Sequence, residues 1–491
     1  MTKSTIVKLG VWSAVIVLII AAIPASSRDT VRRETGSVLP SFPWPISTPE
    51  AQGLDPAVFQ HVFREAERVP YLYSLLVVRN GYLVAERYFH LKDEEYAANV
   101  YSVSKSFTSA LVGIALREGY LPSLDAKLMD YFPDYISPGM DARKFEITLR
   151  HLITMRGGFD FNESWEAWDP YWYSPDWVRY ALNLPLIHKP GQAFAYSSVQ
   201  TNLLSVILTR AAGMSTKDFA EKYLFAPLRI SVRGWQQDPQ GYYTGGHHMF
   251  FTPRDLARFG WLYLNSGRLD GLQIVPEEWV WETTQTISRP GYTWGFLSRI
   301  GYGAGWWTGV FDGYEFTYAS GKYGQQIYLF PEWNMVVVTT MGECGWASDN
   351  AVHSLRLALY GILWPLRCLA GPPPYFPADV SARIMENRGL FLKEHLTRLS
   401  WAPHPRNAAV PINSYRIYAL SNTGSRRMLA ELPVGTATFL HRANQSETLV
   451  TYGICAVTVD GRESIPAVAT VQFPASPNYA DLDIPSRLGR G

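Results

Sequence analysis

The sequence is short of cysteine, of net charge and of metal-binding patterns. Three cysteines, Cys344, Cys368 and Cys455, occur in 491 residues. The number is odd and the spacing matches no metal framework, which excludes a fold built on a disulfide network or a structural zinc. At most one disulfide can form. Cys344–Cys368 is the candidate pair, and three separate thiols are the alternative. Lysine and arginine total 44 against 43 acidic residues, a net charge of +1. No basic cluster stands out, so no nucleic-acid partner is expected. His247-His248 has no third ligand at suitable spacing and no His-Glu-x-x-His occurs, so neither a metal nor a cofactor is expected. Internal repeats and long low-complexity tracts are also missing.

What is present begins at the amino terminus. Lys3 and Lys8 precede an uncharged stretch from Leu9 to Ile23, followed by Ala25, Ser26, Ser27 and then Arg28. Basic flank, short apolar centre and small residues form the pattern of an export signal over residues 1–27. The apolar centre is shorter than the roughly 20 residues of a comfortable membrane span. An uncleaved membrane anchor is the alternative. Both readings place the remainder outside the cytoplasm, as a periplasmic, extracellular or outward-facing anchored protein.

The chain is long for one domain, and 17 tryptophans can fill a large core. In "LYSLLVVRNGYLVAERYF" two β-rich runs flank Asn80-Gly81, a pair that tolerates the positive φ of a tight hairpin turn. Phe107, Ala110, Leu111, Ile114 and Ala115 then follow helical spacing, and Gly119 offers a stop. A helical and irregular middle spans 120–290. The segment "QQIYLFPEWNMVVVTTM" reads as a second hairpin around a Pro-Glu-Trp-Asn turn. Hairpins at both ends of a helical middle predict one mixed antiparallel sheet with flanking helices, an α+β domain over 40–370.

The run "LAGPPPYFP" breaks the pattern, since consecutive prolines continue neither a helix nor a central strand. Residues 371–397 read as a Pro-rich linker and connecting helix. From 398 to 475, "LSWAP", "NSYRIYAL", "ATFLHR" and "TLVTYGICAVTVDG" are short β-runs at sandwich spacing, with Trp401 and Tyr452 as core aromatics. The rhythm of "SYRIY" and "YGICAVTVDGRES" resembles a fibronectin type III domain, which implies a C-terminal β-sandwich whose partner the sequence does not name. Residues 476–491 read as a tail.

The chemistry concentrates in "YSVSKSFTSA". Ser102 stands at the start of the apolar-periodic helix, where unpaired N–H groups favour negative charge, and Lys105 lies three residues on, on the same face. A serine hydroxyl is a poor nucleophile until a base removes its proton. Lys105 can be that base only if its pKa falls well below the usual value near 10.4. A serine at a helix start is more often a simple cap. Here, however, no other serine has a lysine three positions later.

Ser-x-x-Lys at a helix start resembles the serine β-lactamases and penicillin-binding proteins, in their class C and esterase-like branch. "PGQAFAYSSVQTNLLSVILTRAAG", "ITLRHLITMRGGFDF" and "FFTPRDLARFGWLYLNSGRLDGLQIVPEEWV" are similar to further stretches of that family, over about residues 45–365. The resemblance implies that Ser102 is the acylated nucleophile, Lys105 its activator and Tyr196 a partner in proton transfer. It implies an oxyanion hole from the backbone N–H groups of Ser102 and Lys322. It places Ser198, Ser320, Gly321, Gly324 and His247 among the substrate-binding residues. Two departures stand out: Ser198 replaces a frequent Asn, and Ala319-Ser320-Gly321 replaces a cation-Ser/Thr-Gly triplet. Lys322 comes three residues late, on the opposite side of a strand from Ala319. The missing cation points away from penicillins and toward small neutral ester, amide or peptide-like substrates. The alternatives are a peptidoglycan D,D-carboxypeptidase or penicillin-binding sensor, and a non-catalytic surface binder using the sandwich.

Overall fold

The computed structural model describes residues 42–472 with interruptions, among them 292–296, 344–353, 367–376, 389–392, 408–411, 421–425, 443–448 and 460–463. The export-signal segment and the Cys344–Cys368 pair lie outside the described residues. Among the described residues, no helix is long and apolar enough to cross a membrane.

Asp55 caps the first helix, α1 (Pro56–Ala66), its carboxylate accepting from the Ala57 N–H at 2.8 Å. Strands β1 (Leu72–Arg79) and β2 (Tyr82–Tyr88) then form the expected hairpin, with Asn80 at φ 50° and Gly81 at φ 82°. Helix α2 (Ser104–Arg117), then α3 (Ser198–Ala212) and α4 (Pro253–Leu264), make up much of the middle. Five strands close the domain: β3 (Arg299–Tyr302), β4 (Trp307–Phe311), β5 (Tyr314–Gly321), β6 (Gln325–Phe330) and β7 (Met335–Met341). The sheet order is β2-β1-β7-β6-β5-β4-β3, every pair antiparallel. Sequence-distant hairpins therefore meet at its centre, where β1 pairs with β7 and Asn334 Nδ2 donates to Asn80 Oδ1 at 2.9 Å.

Strand alternation sorts the central residues into two cores. Leu76, Val78, Ile327, Leu329, Val336 and Val338 face α2 and α4. Leu75, Val77, Tyr328, Phe330, Met335 and Val337 face α1 and the helical turn Leu357–Leu363. The sheet is thus buried on both faces, which is why its strands read as near-continuous apolar runs.

Helix α2 is buried on every side from Ser104 to Ala115. Its hydroxyls are consumed as staples. Ser106 Oγ donates to Gly305 O and Ser109 Oγ to Ala304 O, each at 2.6 Å, and Thr108 Oγ1 donates to Gly245 O at 2.7 Å. A helix so enclosed can hold a catalytic side chain in one place.

Among the described residues the C-terminal region holds seven strands: β8 (Ala378–Arg388), β9 (Lys393–Ala402), β10 (Ile412–Leu420), β11 (Arg426–Pro433), β12 (Thr438–Arg442), β13 (Leu449–Thr458) and β14 (Ala467–Gln472). They form sheets ordered β8-β9-β12 and β11-β10-β13-β14. Leu399 and Trp401 of the first sheet share a buried cluster with Tyr415, Ile417, Tyr452 and Ile454 of the second, so the sheets pack face to face as a sandwich. The connecting helix expected before residue 398 is a correction. Residues 378–388 form strand β8, and Val380, Ala382 and Ile384 pack on the sandwich at period two. The sandwich starts at β8 rather than at 398.

Candidate active site

Two short pairings set up the turn that carries Ser102. Ala98 and Asn99 pair with Phe251 and Phe250, and Val100 N donates to Met249 O at 2.9 Å. Tyr101 follows at φ 46°, a left-handed backbone conformation uncommon for a residue with a side chain, its N–H held by Asn99 Oδ1 at 3.1 Å. Ser102 then sits in a single 3-10 turn (Tyr101–Val103) leading directly into α2.

Lys105, one turn further, is 1% exposed. Its Nζ lies 2.9 Å from Ser102 Oγ, 2.7 Å from Ser198 Oγ and 2.9 Å from Gly246 O. Burial pulls its pKa down to about 8, against a smaller opposing effect from the Glu163 carboxylate. The Tyr196 ring centroid is 4.8 Å from the same nitrogen. Tyr196 is half-buried, with Trp307 at 5.3 Å and Tyr302 at 5.9 Å between ring centroids, so an aromatic wall adjoins the hydroxyl and the amine.

The end of β5 closes the site from the sheet. A Cβ on Gly321 would stand 2.2 Å from Val100 O, so only glycine lets this strand reach the turn before Ser102. Ser320 is half-buried, its Oγ accepting from Gln326 Nε2 at 2.9 Å. Gly324 turns the chain back at φ 89°. Lys322 is exposed beyond the strand end, while Ala319 is fully buried, so the lysine side chain does not replace a cation at 319.

Two expected substrate contacts fall elsewhere. Ser198 is 1% exposed, and its hydroxyl is engaged by Lys105 and by Glu163 Oε2 at 3.0 Å. It holds the amine rather than presenting to a substrate. His247 is buried behind the site, its ring within 5.5 Å of Trp168 and Trp172. Asn202 Nδ2 donates to its Nε2 at 3.2 Å, and its Nδ1 faces His248 Nδ1 at 2.8 Å. Burial first, then the charges of neighbouring groups, holds its pKa far below the ordinary value. The half-buried neighbour is His248, 5.5 Å from the Tyr101 ring, its pKa lowered to about 4 by burial and by the Lys322 charge. His248 stands at φ 58°, a left-handed backbone that turns its ring away from that of His247, the two rings lying at 90° to one another. Trp306 and Tyr314 are packed in the two cores, whereas Trp307 stands against Tyr196.

Sequence reasoning missed Glu163 and Asn202. Asn202 Oδ1 accepts from Gly246 N at 2.9 Å and so pins the carbonyl that Lys105 uses. Glu163 accepts from both the backbone N–H and the hydroxyl of Ser198. Neither sits in a spaced motif with Ser102, and their separation in sequence hides the contact.

The family model "Beta-lactamase" matches residues 67–361 of this chain. The chain belongs to the beta-lactamase family. A 6-aminohexanoate-dimer hydrolase of Paenarthrobacter ureafaciens is 27% identical over 299 residues, 54% of this chain and 71% of that protein. Among solved structures, a protein assigned as a beta-lactamase from Bacteroides dorei superposes with a TM-score of 0.53 at 18% identity, covering 63% of this chain and 99% of its own. Another, assigned as a 6-aminohexanoate-dimer hydrolase from Bacillus anthracis, gives 0.51 at 22% identity, covering 63% of this chain and 82% of its own. This beta-lactamase-family chain is accordingly a serine hydrolase, and its departures at Ser198 and Ala319 are departures within that family.

Proposed function

We propose that this chain is an exported serine hydrolase that cleaves small neutral esters or amides through an acyl-enzyme. The observation that carries the reading is the dry Lys105 amine, 2.9 Å from Ser102 Oγ. At its lowered pKa the neutral amine takes the Ser102 proton as Oγ attacks the carbonyl carbon. The tetrahedral oxyanion is held by the N–H groups of Ser102 and Lys322, an interaction worth about 2.7–4 kcal/mol per donor. The carbon–heteroatom bond breaks, and Tyr196, beside the ammonium, passes a proton to the departing alcohol or amine. Lys105 returns its proton to Tyr196; water then gives a proton to Lys105 as it attacks the acyl carbon, and that proton passes to Ser102 Oγ as the acid leaves.

The substrate class follows from the lining. Buried Ala319 offers no charge for a carboxylate, and Tyr196, Trp307 and Tyr302 form an apolar wall beside the nucleophile. A relative is named as a hydrolase of the 6-aminohexanoate dimer, in line with a small substrate other than a penicillin. Export rests on the amino-terminal pattern. The C-terminal strand order supports a fibronectin type III-like module, here proposed as a spacer.

Labelling with a fluorophosphonate, with a panel of p-nitrophenyl esters, anilides and a D-Ala-D-Ala peptide run alongside, tests the proposal. Wild type labels on Ser102 and turns over esters or anilides, and Ser102→Ala does neither. Equal labelling of the Ser102→Ala protein would falsify the assignment, and D-Ala release faster than any ester would move the function to cell-wall peptides.

A further inference from the structure

We infer that Glu163 is a positioning residue of the active site: by accepting the Ser198 proton it fixes the hydrogen-bond polarity of Ser198 and so aims the Lys105 lone pair at Ser102. The inference deepens the proposed function and rests on Lys105 being the base.

The argument is a count of donors and acceptors. A neutral amine has two N–H donors and one lone pair. Lys105 Nζ has three neighbours in hydrogen-bond range: Gly246 O, Ser198 Oγ and Ser102 Oγ. Gly246 O, a carbonyl, can only accept, so it takes one N–H. The two hydroxyls are each able to donate or accept, so the lone pair could face either. If it faced Ser198, Lys105 would donate to Ser102 and could not remove its proton.

Glu163 resolves the choice. Its Oε1 accepts from Ser198 N, and its Oε2 accepts from Ser198 Oγ at 3.0 Å. An ionised carboxylate has no proton to give. The Ser198 hydroxyl must therefore point its hydrogen at Glu163 and offer only a lone pair to Lys105. Both N–H groups of the neutral amine are then used, and its lone pair is left for the Ser102 O–H. Glu163 itself is held at φ 62°, and Ser198 is buried at the start of α3, so the chain of contacts has little freedom. Here Ser198 does what an amide side chain does not: its direction is set by the acid behind it.

Glu163→Gln is nearly isosteric but reverses the polarity. Its amide oxygen must serve Ser198 N–H, so its NH₂ faces Ser198 Oγ and turns that proton toward Lys105. The readout is the rate of fluorophosphonate labelling of Ser102 across pH, which reports nucleophile activation without a substrate. Glu163→Gln is expected to slow labelling at least about tenfold, a part of the roughly 10²–10⁴-fold that a well-aimed general base supplies. It should also move the acid limb of the profile to lower pH, because the carboxylate that supports the ammonium is gone; a merely structural role would leave that limb in place. In a Ser198→Ala background, Glu163→Gln should change the rate less than about twofold, because the link is already cut. Labelling of Glu163→Gln at the wild-type rate, or the same loss with and without Ser198, overturns the inference and leaves the proposed function standing. Ser198→Ala tests the link from its other end even if the Gln variant does not fold: it must itself slow labelling, and wild-type labelling there is equally fatal. Wild type that fails to label at Ser102 overturns the active-site reading and this inference with it.

Discussion

The sharpest consequence of a buried base is its pH profile. Lys105 is lowered to about 8 from an ordinary 10.5, chiefly by desolvation. At pH 7 about one site in ten then holds a free amine, against roughly three in ten thousand for an unperturbed lysine, a gain of about 300-fold in competent base. The second-order labelling rate of Ser102 should climb about fivefold from pH 7 to 8 and at most about twofold more above that. The assay is fluorophosphonate labelling from pH 6 to 10, with Ser102→Ala as the background. A rate that is flat between pH 6 and 8 would mean no base titrates there; one that keeps its slope to pH 10 would mean the amine is hydrated. Either result refutes the reasoning. Stability should carry the same signature. Between about pH 8 and 10.5 the unfolded chain holds the Lys105 proton and the folded chain does not, so stability rises with pH across that window. The total change is roughly 3 kcal/mol, and Lys105→Met should remove it from the pH dependence of thermal unfolding.

Gly321→Ala places a Cβ 2.2 Å from Val100 O, so strand and nucleophile turn must part; kcat should fall about 10²–10³-fold, with circular dichroism unchanged. Asp255 is fully buried at the head of α4, its pKa pushed up to about 7 mainly by desolvation. Its folded pKa exceeds its unfolded one, so its contribution is full below about pH 4 and is lost as pH rises through 7; Tm should fall over that range, and Asp255→Asn should flatten the fall. Ala319→Lys restores the family cation in sequence but buries it, so Tm should drop by several degrees and hydrolysis of a chromogenic cephalosporin should not appear.

The parts of the fold that were legible in the sequence are those where local chemistry and tertiary demand agree. Asn80-Gly81 needs positive φ and has it, and Phe107, Ala110, Leu111, Ile114 and Ala115 are fully buried as their spacing requires. Strand β8 was misread because its residues, Ala, Arg, Met and Glu among them, favour helices, while the apolar positions Val380, Ala382 and Ile384 obey period two. Tertiary packing overrode propensity there. At the site, Ser102 and Lys105 were legible because one helical turn brings them together. Tyr196 was placed by resemblance rather than by periodicity, and it does lie against the amine. Glu163 was illegible for a physical reason: its partner Ser198 is 35 residues away, and only the folded loop brings the carboxylate to it.

The missing cation and the poised amine belong to one electrostatic balance. Ala319 lies in the same buried cluster as Val100, Val103 and Phe107, the residues that flank Ser102 and seat α2. An ammonium at 319 would enter that dry region at a desolvation cost of several kcal/mol. It would also stand on the sheet face that looks toward Lys105, and a like charge there lowers the pKa of an amine further. The Glu163 carboxylate opposes this and already supports Lys105 through Ser198. A neutral residue at 319 therefore leaves the base near physiological pH, at the expense of charged acyl groups. Substrate preference and base strength are in this way set by the same side chains.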